Sequence, residues 1–435
     1  MAAPSLRDEA AELLGRLIRL DTTNPPGNET QAAELLRDYL EANGVACELY
    51  AKTPERANLV ARIPGAGGGP SLLLLSHTDV VLADPAEWSV PPFSGELRDG
   101  EVWGRGALDM KGQVAAEAVA IASLAREGWR GDGDLIFCAT ADEEVGDDFG
   151  LSWLCREHPD AVRCDYAINE GGGDRMEIAG RRVHLCMAAE KATAPFTIRV
   201  RGRSGHASMP GVADNALIKA ATLVERLAAF RPEPQLGPEV EGFLRAVLGE
   251  VPAAAEAVAR VRELSPEAAD LVEPALSATF SPTMISASRK RNVIPALCEV
   301  TVDCRLLPGQ HPEHVEPMIR TVLGGDVEYE LEWETREGGT RSALDTPLWQ
   351  AVESFVAESD PGAKAAPMCT VGFTDSHWLR EAFGTVAYGF FPMSGEMSVE
   401  TINGLVHSAD ERIPVADLEL GVRWMRHAAR EVLGG

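Results

Sequence analysis

Residues 71–81 read SLLLLSHTDVV, a run of leucines that ends on a histidine and an aspartate. A short apolar run bounded by polar residues predicts a buried β-strand. His77 and Asp79 are two positions apart, so their side chains point to the same face of an extended chain. In open α/β sheets, ligands bind at the carboxyl ends of strands, where this pair lies. Taken alone, the pair is also typical of an ordinary protein surface.

Segments of helical and extended character alternate on both sides of this run. Apolar periodicity predicts helices at residues 5–20, 28–43 and 111–127. Short apolar or β-branched runs between Gly, Pro and Asp predict further strands at residues 46–49, 58–63, 134–139 and 165–168. The alternation predicts an α/β fold with a mixed sheet.

The pattern changes near residue 193 and returns after about residue 340. Between these points we predict a strand-helix-strand-strand-helix-strand unit, with a polar stretch at residues 231–274 that is either a helical insertion or a loop. Its predicted strands and helices lie at residues 196–200, 215–230, 284–288, 297–305, 312–323 and 327–333. A chain of 435 residues exceeds what one hydrophobic core usually serves. We therefore predict a catalytic domain from residues 1–192 and 341–435, and an inserted α+β, ferredoxin-like domain at residues 193–340.

The charge and the cysteines narrow the classes of function. A formal net charge of -27 argues against nucleic acid and anionic membranes as partners, because both reward basic residues. The eight cysteines are scattered without a CxxC pair, so neither a zinc ribbon nor a disulfide framework is indicated. The amino-terminal segment lacks the apolar core of a signal peptide, and no apolar run is long enough to span a membrane. We expect a cytoplasmic protein.

Acidic residues and a second histidine follow other predicted strands and turns. Asp109 lies among glycines in GRGALDMKG, where it brings a carboxylate inward, caps the helix that follows, or does both. Glu143 and Glu144 follow a strand in ADEEVG, and adjacent carboxylates repel unless a cation or a proton separates their roles. Glu170 ends the strand CDYAINE, and His407 precedes the last predicted helix in NGLVHSADERIP.

Together these side chains form a donor set for metal ions. Two histidines and three carboxylates make two nitrogen- and oxygen-ligated sites if one carboxylate bridges, which suits zinc and tolerates manganese or cobalt. Of the adjacent Glu143 and Glu144, one then ligates a metal and the other acts as general base on a water. Consecutive residues at a strand end point in opposite directions, which predicts different roles for these two glutamates.

The order of the motifs HTD, GRGALDMKG, ADEEVG, NEG and HSADER resembles one family of co-catalytic zinc hydrolases. This is the family of aminoacylase-1, acetylornithine deacetylase, succinyl-diaminopimelate desuccinylase and glutamate carboxypeptidase, and the resemblance covers essentially the whole chain. It implies two bound zinc ions, for which Co²⁺ or Mn²⁺ can substitute. It also implies cleavage of an amide bond in a small peptide or an N-acyl amino acid.

The resemblance assigns roles to the candidate ligands by position. It implies two ligand sets that share one bridging carboxylate: His77, Asp109 and Glu170 for one zinc, and Asp109, Glu144 and His407 for the other. Glu143 corresponds to the general base. Asp79 corresponds to the residue that orients His77.

The resemblance extends to the middle domain, which it implies is a lid that pairs two subunits. GRSGHASMP matches the lid segment, so His206 is expected to reach the active site of a partner subunit in a homodimer. Asn292 in RNVIP and Arg305 in VDCRLLPG match positions that contact substrate, and an arginine can bind a carboxylate with two hydrogen bonds. Many relatives have Gly-Gly-Thr where this chain has VGFT, so we expect Thr374 to contact substrate beside a pocket narrowed by Phe373.

Two alternatives use the same residues. A fold does not guarantee its chemistry, so the scaffold could serve a non-catalytic protein that binds small molecules. A di-metal phosphoesterase uses similar ligands but usually adds basic groups for phosphate, and Arg305 alone does not exclude it. The complete ligand set together with Glu143 favours the hydrolase.

Overall fold

The computed structural model describes residues 5–146, 148–335 and 337–435. Its chain divides into two compact units. The first unit comprises the chain up to Ala188, Ser342–Met368 and Thr374–Gly435, and the second comprises Ala189–Arg341 and Cys369–Phe373. The chain therefore leaves the first unit and returns to it. The role of the second unit as a lid stays a prediction.

Several helices begin at a residue whose side-chain oxygen accepts a hydrogen bond from a backbone amide of the first turn, which is the usual N-terminal cap. A 3-10 turn lies at Pro210–Val212. Along the chain the α-helices are α1 (Leu6–Ile18), α2 (Thr30–Ala42), α3 (Lys111–Arg126), α4 (Leu151–Glu157), α5 (Pro159–Val162), α6 (Ala216–Ala229), α7 (Pro238–Leu248), α8 (Ala254–Arg262), α9 (Pro266–Ala275), α10 (Pro312–Leu323), α11 (Pro347–Ser359), α12 (Ser376–Phe383), α13 (Val399–Leu405) and α14 (Val415–Leu433).

The strands of the first unit largely follow apolar runs, and those of the second show alternating burial. Along the chain they are β1 (Ala46–Ala51), β2 (Ala57–Ile63), β3 (Leu72–His77), β4 (Glu96–Arg98), β5 (Glu101–Trp103), β6 (Leu135–Thr140), β7 (Tyr166–Asn169), β8 (Arg175–Ile178), β9 (Arg181–Glu190), β10 (Ala192–Thr193), β11 (Phe196–Arg201), β12 (Gly205–His206), β13 (Thr279–Ser286), β14 (Val293–Ile294), β15 (Leu297–Leu306), β16 (Tyr329–Trp333), β17 (Thr340–Arg341), β18 (Lys364–Thr370), β19 (Val386–Gly389) and β20 (Arg412–Pro414).

The sheet of the first unit runs in the order β1-β2-β6-β3-β7-β19-β9. β3 pairs in parallel with β6 and β7, and β7 pairs in parallel with β19. The pairs β1-β2, β2-β6 and β9-β19 are antiparallel, which confirms the predicted mixed sheet. Every residue of β3 is buried, as expected for a central strand covered on both faces. Helices α3 and α14 contact β3 and each other, so the central strand is held within the core.

The sheet of the second unit runs in the order β10-β15-β11-β16, and β13 pairs with β15. Phe196, Ile198 and Val200 alternate into its core, as their spacing predicts. Helix α6 contacts β11, β13, β15 and α10. The stretch predicted as either helical insertion or loop contains α7, α8 and most of α9, so the helical alternative is confirmed. β13 begins at Thr279, earlier than the strand predicted at residues 284–288.

The cysteines and the apolar character of the helices agree with the sequence analysis. All eight cysteines are free thiols, as expected for cysteines without a paired spacing. Among the described residues, no helix combines the length and the apolar character needed to cross a lipid bilayer.

Candidate metal centre

The carboxyl ends of parallel strands place the first candidate ligands. β3 ends at His77, which pairs with Thr140 at the end of β6. Glu170 directly follows β7, and Glu143 and Glu144 lie in the turn that follows β6. The carboxyl ends of parallel strands meet at one edge of a sheet, so these side chains come together there.

Asp109 and His407 join this edge from loops. His77 Nε2 lies 3.2 Å from Asp109 Oδ1 and 3.8 Å from Glu170 Oε2. His407 Nε2 lies 3.0 Å from Asp109 Oδ2 and 3.3 Å from Glu144 Oε2. The two carboxylate oxygens of Asp109 thus face two different histidines. This is the arrangement that a bridging ligand needs.

Glu143 and Glu144 approach different histidines. Glu143 Oε2 lies 3.9 Å from His77 Nε2, whereas Glu144 is nearest to His407. Both glutamates lie in a turn and not at a strand end, so alternation along a strand is not the reason for their difference. Within the described residues, the groups close enough to hold one ion are His77, Asp109 and Glu144, and His77, Glu143 and Glu170. Glu143 and Glu170 lie at nearly the same distance from His77 Nε2, 3.9 and 3.8 Å.

The electrostatics of the cluster fit divalent cations. Burial and a neighbouring carboxylate raise the pKa of Glu143 well above its usual value. Burial alone would raise the pKa of Asp109, but hydrogen bonds with His407 and His77 hold it below its usual value. Glu144 Oε1 is buried and accepts no hydrogen bond from the described residues. Because buried carboxylate oxygens are normally hydrogen-bonded or bound to a metal, this atom and its nitrogen and oxygen neighbours suit a cation such as zinc.

Asp79 connects His77 with the turn that carries Glu143 and Glu144. Its Oδ1 lies 3.5 Å from His77 Nδ1, although its own backbone carbonyl is nearer to that nitrogen, at 3.1 Å. The backbone amides of Glu143 and Glu144 donate to the Asp79 carboxylate at 3.2 and 3.1 Å. A partner on the second ring nitrogen fixes the orientation of a histidine ligand. Asp79 therefore holds both the histidine and the glutamate turn.

The loop before α3 is held by Glu411, which the sequence analysis did not single out. The buried carboxylate accepts hydrogen bonds of 2.7 to 3.0 Å from three backbone amides of this loop: Gly106, Leu108 and Asp109. Arg105 donates to the same carboxylate at 2.6 Å. Met110 occupies the N-cap position of α3, so Asp109 does not cap that helix. Glu411 belongs to the HSADER motif, and this membership was the signal by which sequence analysis could have found it. A glutamate as such does not indicate that it holds a loop.

Three candidate substrate contacts lie in the second unit. His206 pairs with Val293 between β12 and β14, beside Asn292, and both His206 and Asn292 are exposed. Arg305 lies on β15, where its Nε and one terminal nitrogen donate to the Asp303 carboxylate at 2.8 and 3.0 Å. The structure therefore brings His206 and Asn292 together and pairs Arg305 with an aspartate of its own strand.

Thr374, the remaining candidate contact, belongs to the first unit, whereas its neighbour Phe373 belongs to the second. Thr374 is buried in the turn before α12. Its hydroxyl oxygen accepts a hydrogen bond from the backbone amide of Ser376 at 3.2 Å. This bond holds the turn that precedes the helix.

The match with known proteins covers nearly the whole chain. The model of peptidase family M20/M25/M40 matches residues 73–431. Succinyl-diaminopimelate desuccinylase from Delftia acidovorans is 28% identical over 425 residues, which cover 94% of each chain. An M20 family metallo-carboxypeptidase from Sulfolobus solfataricus has a similar fold, with a TM-score of 0.74 and 17% identity over 98% of this chain and 99% of that one. A dinuclear metal-binding M20 peptidase from Bacillus subtilis gives a TM-score of 0.64 and 14% identity over 98% of both chains. The chain belongs to peptidase family M20/M25/M40 and is a hydrolase that acts on amide bonds.

Proposed function

We propose that the protein is a di-zinc hydrolase that cleaves an amide bond in a small peptide or an N-acyl amino acid. The observation that carries this proposal is the position of Asp109 between two histidines, 3.2 Å from His77 and 3.0 Å from His407. The names of similar proteins support both substrate classes, since one is a desuccinylase and another a metallo-carboxypeptidase. The bond type is common to both.

In this proposal the ligands form two sets that share Asp109. They are His77, Asp109 and Glu170 for one ion, and Asp109, Glu144 and His407 for the other. Zinc bound there would polarise the scissile carbonyl and make an attacking water more acidic. Glu143 takes the proton of that water and returns it to the leaving amine. Distance does not separate Glu143 from Glu170, so the family resemblance supplies the choice of Glu143 as base.

The chain's own contacts prepare these groups for the reaction. Asp79 orients His77 and, through two backbone amides, fixes the turn that carries the base. Glu411 fixes the loop that carries Asp109. Groups held before the substrate arrives need little reorganisation during the reaction. The site is therefore suited to repeated proton transfer at one position.

We also assign the second unit as a lid that pairs two subunits and contributes His206, Asn292 and Arg305 to substrate binding, with Thr374 from the first unit. Within the described residues, β13 pairs with β15 alone, and its Met284 is 69% exposed. An exposed apolar strand at a sheet edge favours pairing with another chain. This supports a homodimer.

Metal analysis followed by a substrate screen tests the proposal. We expect about two zinc equivalents per chain, and loss of hydrolysis after chelation with recovery on adding zinc back. The screen compares dipeptides, N-acetyl amino acids and N-succinyl amino acids. A metal-free protein that hydrolyses any of these amides at full rate would contradict the proposal.

A further inference from the structure

A network of buried polar side chains lies next to the metal centre in the first unit. It consists of Asn24, Glu29, Arg56 and Asp142, and it ends on Asp79. All five side chains are less than a tenth exposed. Apart from Asp79, none has a role in the proposed reaction. We call these five residues the support network.

Arg56 is the centre of the support network. Its guanidinium donates two hydrogen bonds to Glu29, at 2.6 and 2.8 Å, and a third to Asp142 Oδ1 at 2.8 Å. A fourth reaches the backbone carbonyl of Pro26 at 3.1 Å. The same group lies over the ring of Phe149, 4.7 Å from its centroid. A lysine cannot reproduce this planar set of donors.

Asn24 joins two buried carboxylates. Its side-chain amide donates to Asp79 Oδ2 and to Asp142 Oδ1, both at 2.9 Å. Its backbone amide donates to the carbonyl of Val80, and Thr22 donates through its hydroxyl to the carbonyl of Thr78. The segment around Asn24 therefore runs beside the chain that carries Asp79. Without the amide of Asn24, two buried carboxyl groups would lack their common donor.

Gly27 makes room for Arg56. Its φ is +78°, and a Cβ added there would lie 2.3 Å from Cζ of Arg56. A side chain at this position would therefore displace the guanidinium as well as strain the backbone. The sequence TNPPG at residues 23–27 thus supplies both the amide of Asn24 and the space for Arg56.

We infer that Asn24 and Arg56 are positioning residues that fix Asp79 relative to Asp142 and thereby hold Glu143 and Glu144 at the metal centre. Asp142 directly precedes Glu143, and Asp79 accepts the backbone amides of both glutamates. The turn is thus held at two points, through Asp142 and through Asp79. The side-chain amide of Asn24 donates to both carboxylates. The inference rests on the proposed metal centre.

The test uses Asn24→Asp and Arg56→Lys, with Arg62→Lys as the matched control. Arg62 lies on β2 and donates to the Asp134 carboxylate at 2.7 Å and to the backbone carbonyls of Asp160 and Ala161, none of which is a proposed ligand. Zinc dissociation constants are measured by competition with a chelator, beside kcat, KM and the unfolding temperature. We expect zinc affinity to fall about 10- to 100-fold in both variants, the scale known for partners of metal ligands. In Arg62→Lys it should stay at the wild-type value.

A purely structural role would lower the unfolding temperature and leave the zinc constants of the folded protein unchanged, and that result would overturn the inference. If Arg56→Lys does not fold, Gly27→Ala replaces it in the test. The alanine Cβ displaces the guanidinium of Arg56 without removing the arginine, and the same loss of zinc affinity is expected. Wild-type protein without zinc affinity would overturn the proposed function and this inference with it.

A second, independent observation concerns the loop between β13 and β14. Arg289, Lys290 and Arg291 are consecutive and exposed, and residues 281–298 contain no Asp or Glu. Within the part of the chain that the structure describes, none of the three forms an ion pair. Other arginines of this unit do pair with carboxylates, for example Arg226 with Asp326 and Arg305 with Asp303. These three cations form a local positive group in a chain of net charge -27.

This basic loop is held in a defined turn beside His206. The hydroxyl of Ser288 donates to the carbonyl of Lys290 at 2.9 Å and accepts the amide of Lys290 at 3.2 Å. The amide of Val293 donates to the same carbonyl at 3.2 Å. Val293 pairs with His206 across β12 and β14. The cations and His206 therefore lie on one local surface of the second unit.

We propose that the basic loop binds a second carboxylate of the amide substrate, so that the preferred substrates carry at least two carboxylates. The proposal deepens the proposed function and rests on it. A strongly acidic protein repels such substrates in general, and a local group of unpaired cations offsets this repulsion where the substrate binds.

The test compares the N-succinyl and N-butyryl derivatives of one amino acid, which differ by a carboxylate in place of a methyl group. The triple variant R289Q/K290Q/R291Q should lower kcat/KM for the succinyl amide about tenfold, the scale of a few exposed ion pairs, and leave the butyryl amide unchanged. Arg231→Gln is the control, because Arg231 is exposed in the same unit and bonds to backbone carbonyls only. Added salt should reduce the wild-type preference.

A wild-type enzyme that cleaves both amides equally, or a triple variant with an unchanged ratio, would overturn this proposal while leaving the proposed function intact. A wild-type enzyme that cleaves neither these amides nor any dipeptide would overturn both.

Discussion

The candidate residues of the two units differ in how they are held. In the first unit, the side chains of Asp109, Glu143, Glu144 and Glu170 are less than a fifth exposed, and buried partners fix the loops of the first three. In the second unit, His206 is exposed and bonds to Ser208, its neighbour in the same turn. These carboxylates are thus positioned by the folded chain itself, whereas the side chain of His407 is 51% exposed. The position of His206 therefore depends on its own turn and on what binds to it.

This difference separates two kinds of experiment. Substitutions in the first unit should change metal affinity or the chemical step, because their partners are already in place. Substitutions in the second unit should change substrate affinity or assembly and leave the metal content intact. A variant that breaks this division would show that the comparison is wrong.

The largest effect is expected at the adjacent glutamates. Glu143→Ala should keep zinc and lower kcat at least about 100-fold, because it removes the proposed general base. Glu144→Ala should lose zinc, because Glu144 lies 3.3 Å from His407 beside Asp109, the proposed bridging ligand. Zinc content and kcat are measured on the same preparations. Equal loss of zinc in both variants, or near-normal turnover in Glu143→Ala, would show that Glu143 is not the base.

A somewhat smaller effect is expected at Glu411. Glu411→Gln leaves three loop amides with one carbonyl oxygen in place of two carboxylate oxygens, and it leaves Arg105 without its buried counter-charge. Zinc affinity should fall about 10- to 100-fold. Glu101→Gln is the control, since Glu101 pairs with Arg412 near the surface. Unchanged zinc affinity in Glu411→Gln would mean that the loop holds Asp109 without it.

His206→Ala should lower kcat/KM about tenfold, the scale of one lost hydrogen bond to a charged group, and leave zinc content unchanged. Light scattering should show a dimer for both proteins.

Replacing the exposed Ile218 of α6 or Met284 of β13 by Asp should favour the monomer if either lies in the dimer contact. A fully active monomer would contradict the proposed part played by a second subunit.

A different kind of effect, on the stability of the fold and not on metal binding or turnover, concerns Glu117, a fully buried acid of α3. Burial raises its pKa from 4.5 to about 8, against hydrogen bonds from Gln113 and Ser76 that lower it. Between these values the folded protein holds a proton that the unfolded chain has lost, so stability falls as pH rises toward about 8. Relative to Glu117→Gln, the wild-type free energy of unfolding should fall by up to about 1.4 kcal/mol per pH unit in this window. Denaturation at several pH values checks this, with the exposed Glu34→Gln as control.

The sequence predicted much of the fold because local patterns were strong. Helix α10 begins and ends where its periodicity placed it, at residues 312 and 323. Strand β9 was missed. Its sequence, RRVHLCMAAE, starts with two arginines and then shows no alternation, since its later residues are buried on both faces. A strand that is buried on both faces shows no alternation of polar and apolar residues, and charged residues at its ends interrupt the apolar run. Its sequence therefore does not distinguish it from other structures.

The residues of the candidate site also fall into a group that the sequence predicted and a group that it did not. Its ligand candidates follow strands or glycine-rich turns, so the sequence singled them out and the structure brings them together. Asn24, Arg56 and Glu411 were not singled out. Each is an ordinary polar residue in its own segment, and its partners are distant in sequence, such as Asp142 for Arg56. For Asn24 and Arg56 a single sequence carries no signal of such pairs before the fold is known, and for Glu411 the signal was its place in the HSADER motif.

The return of the chain to the first unit sets an order of events during synthesis on the ribosome. His407, which faces Asp109, and Glu411, which holds the Asp109 loop, are both translated after the entire second unit. A nascent chain that stops short of His407 contains His77, Asp109 and Glu170 but only part of the second ligand set. In the proposed arrangement, metal ions can therefore fill both ligand sets only late in translation or after release, when the strand that carries His77 has already been made.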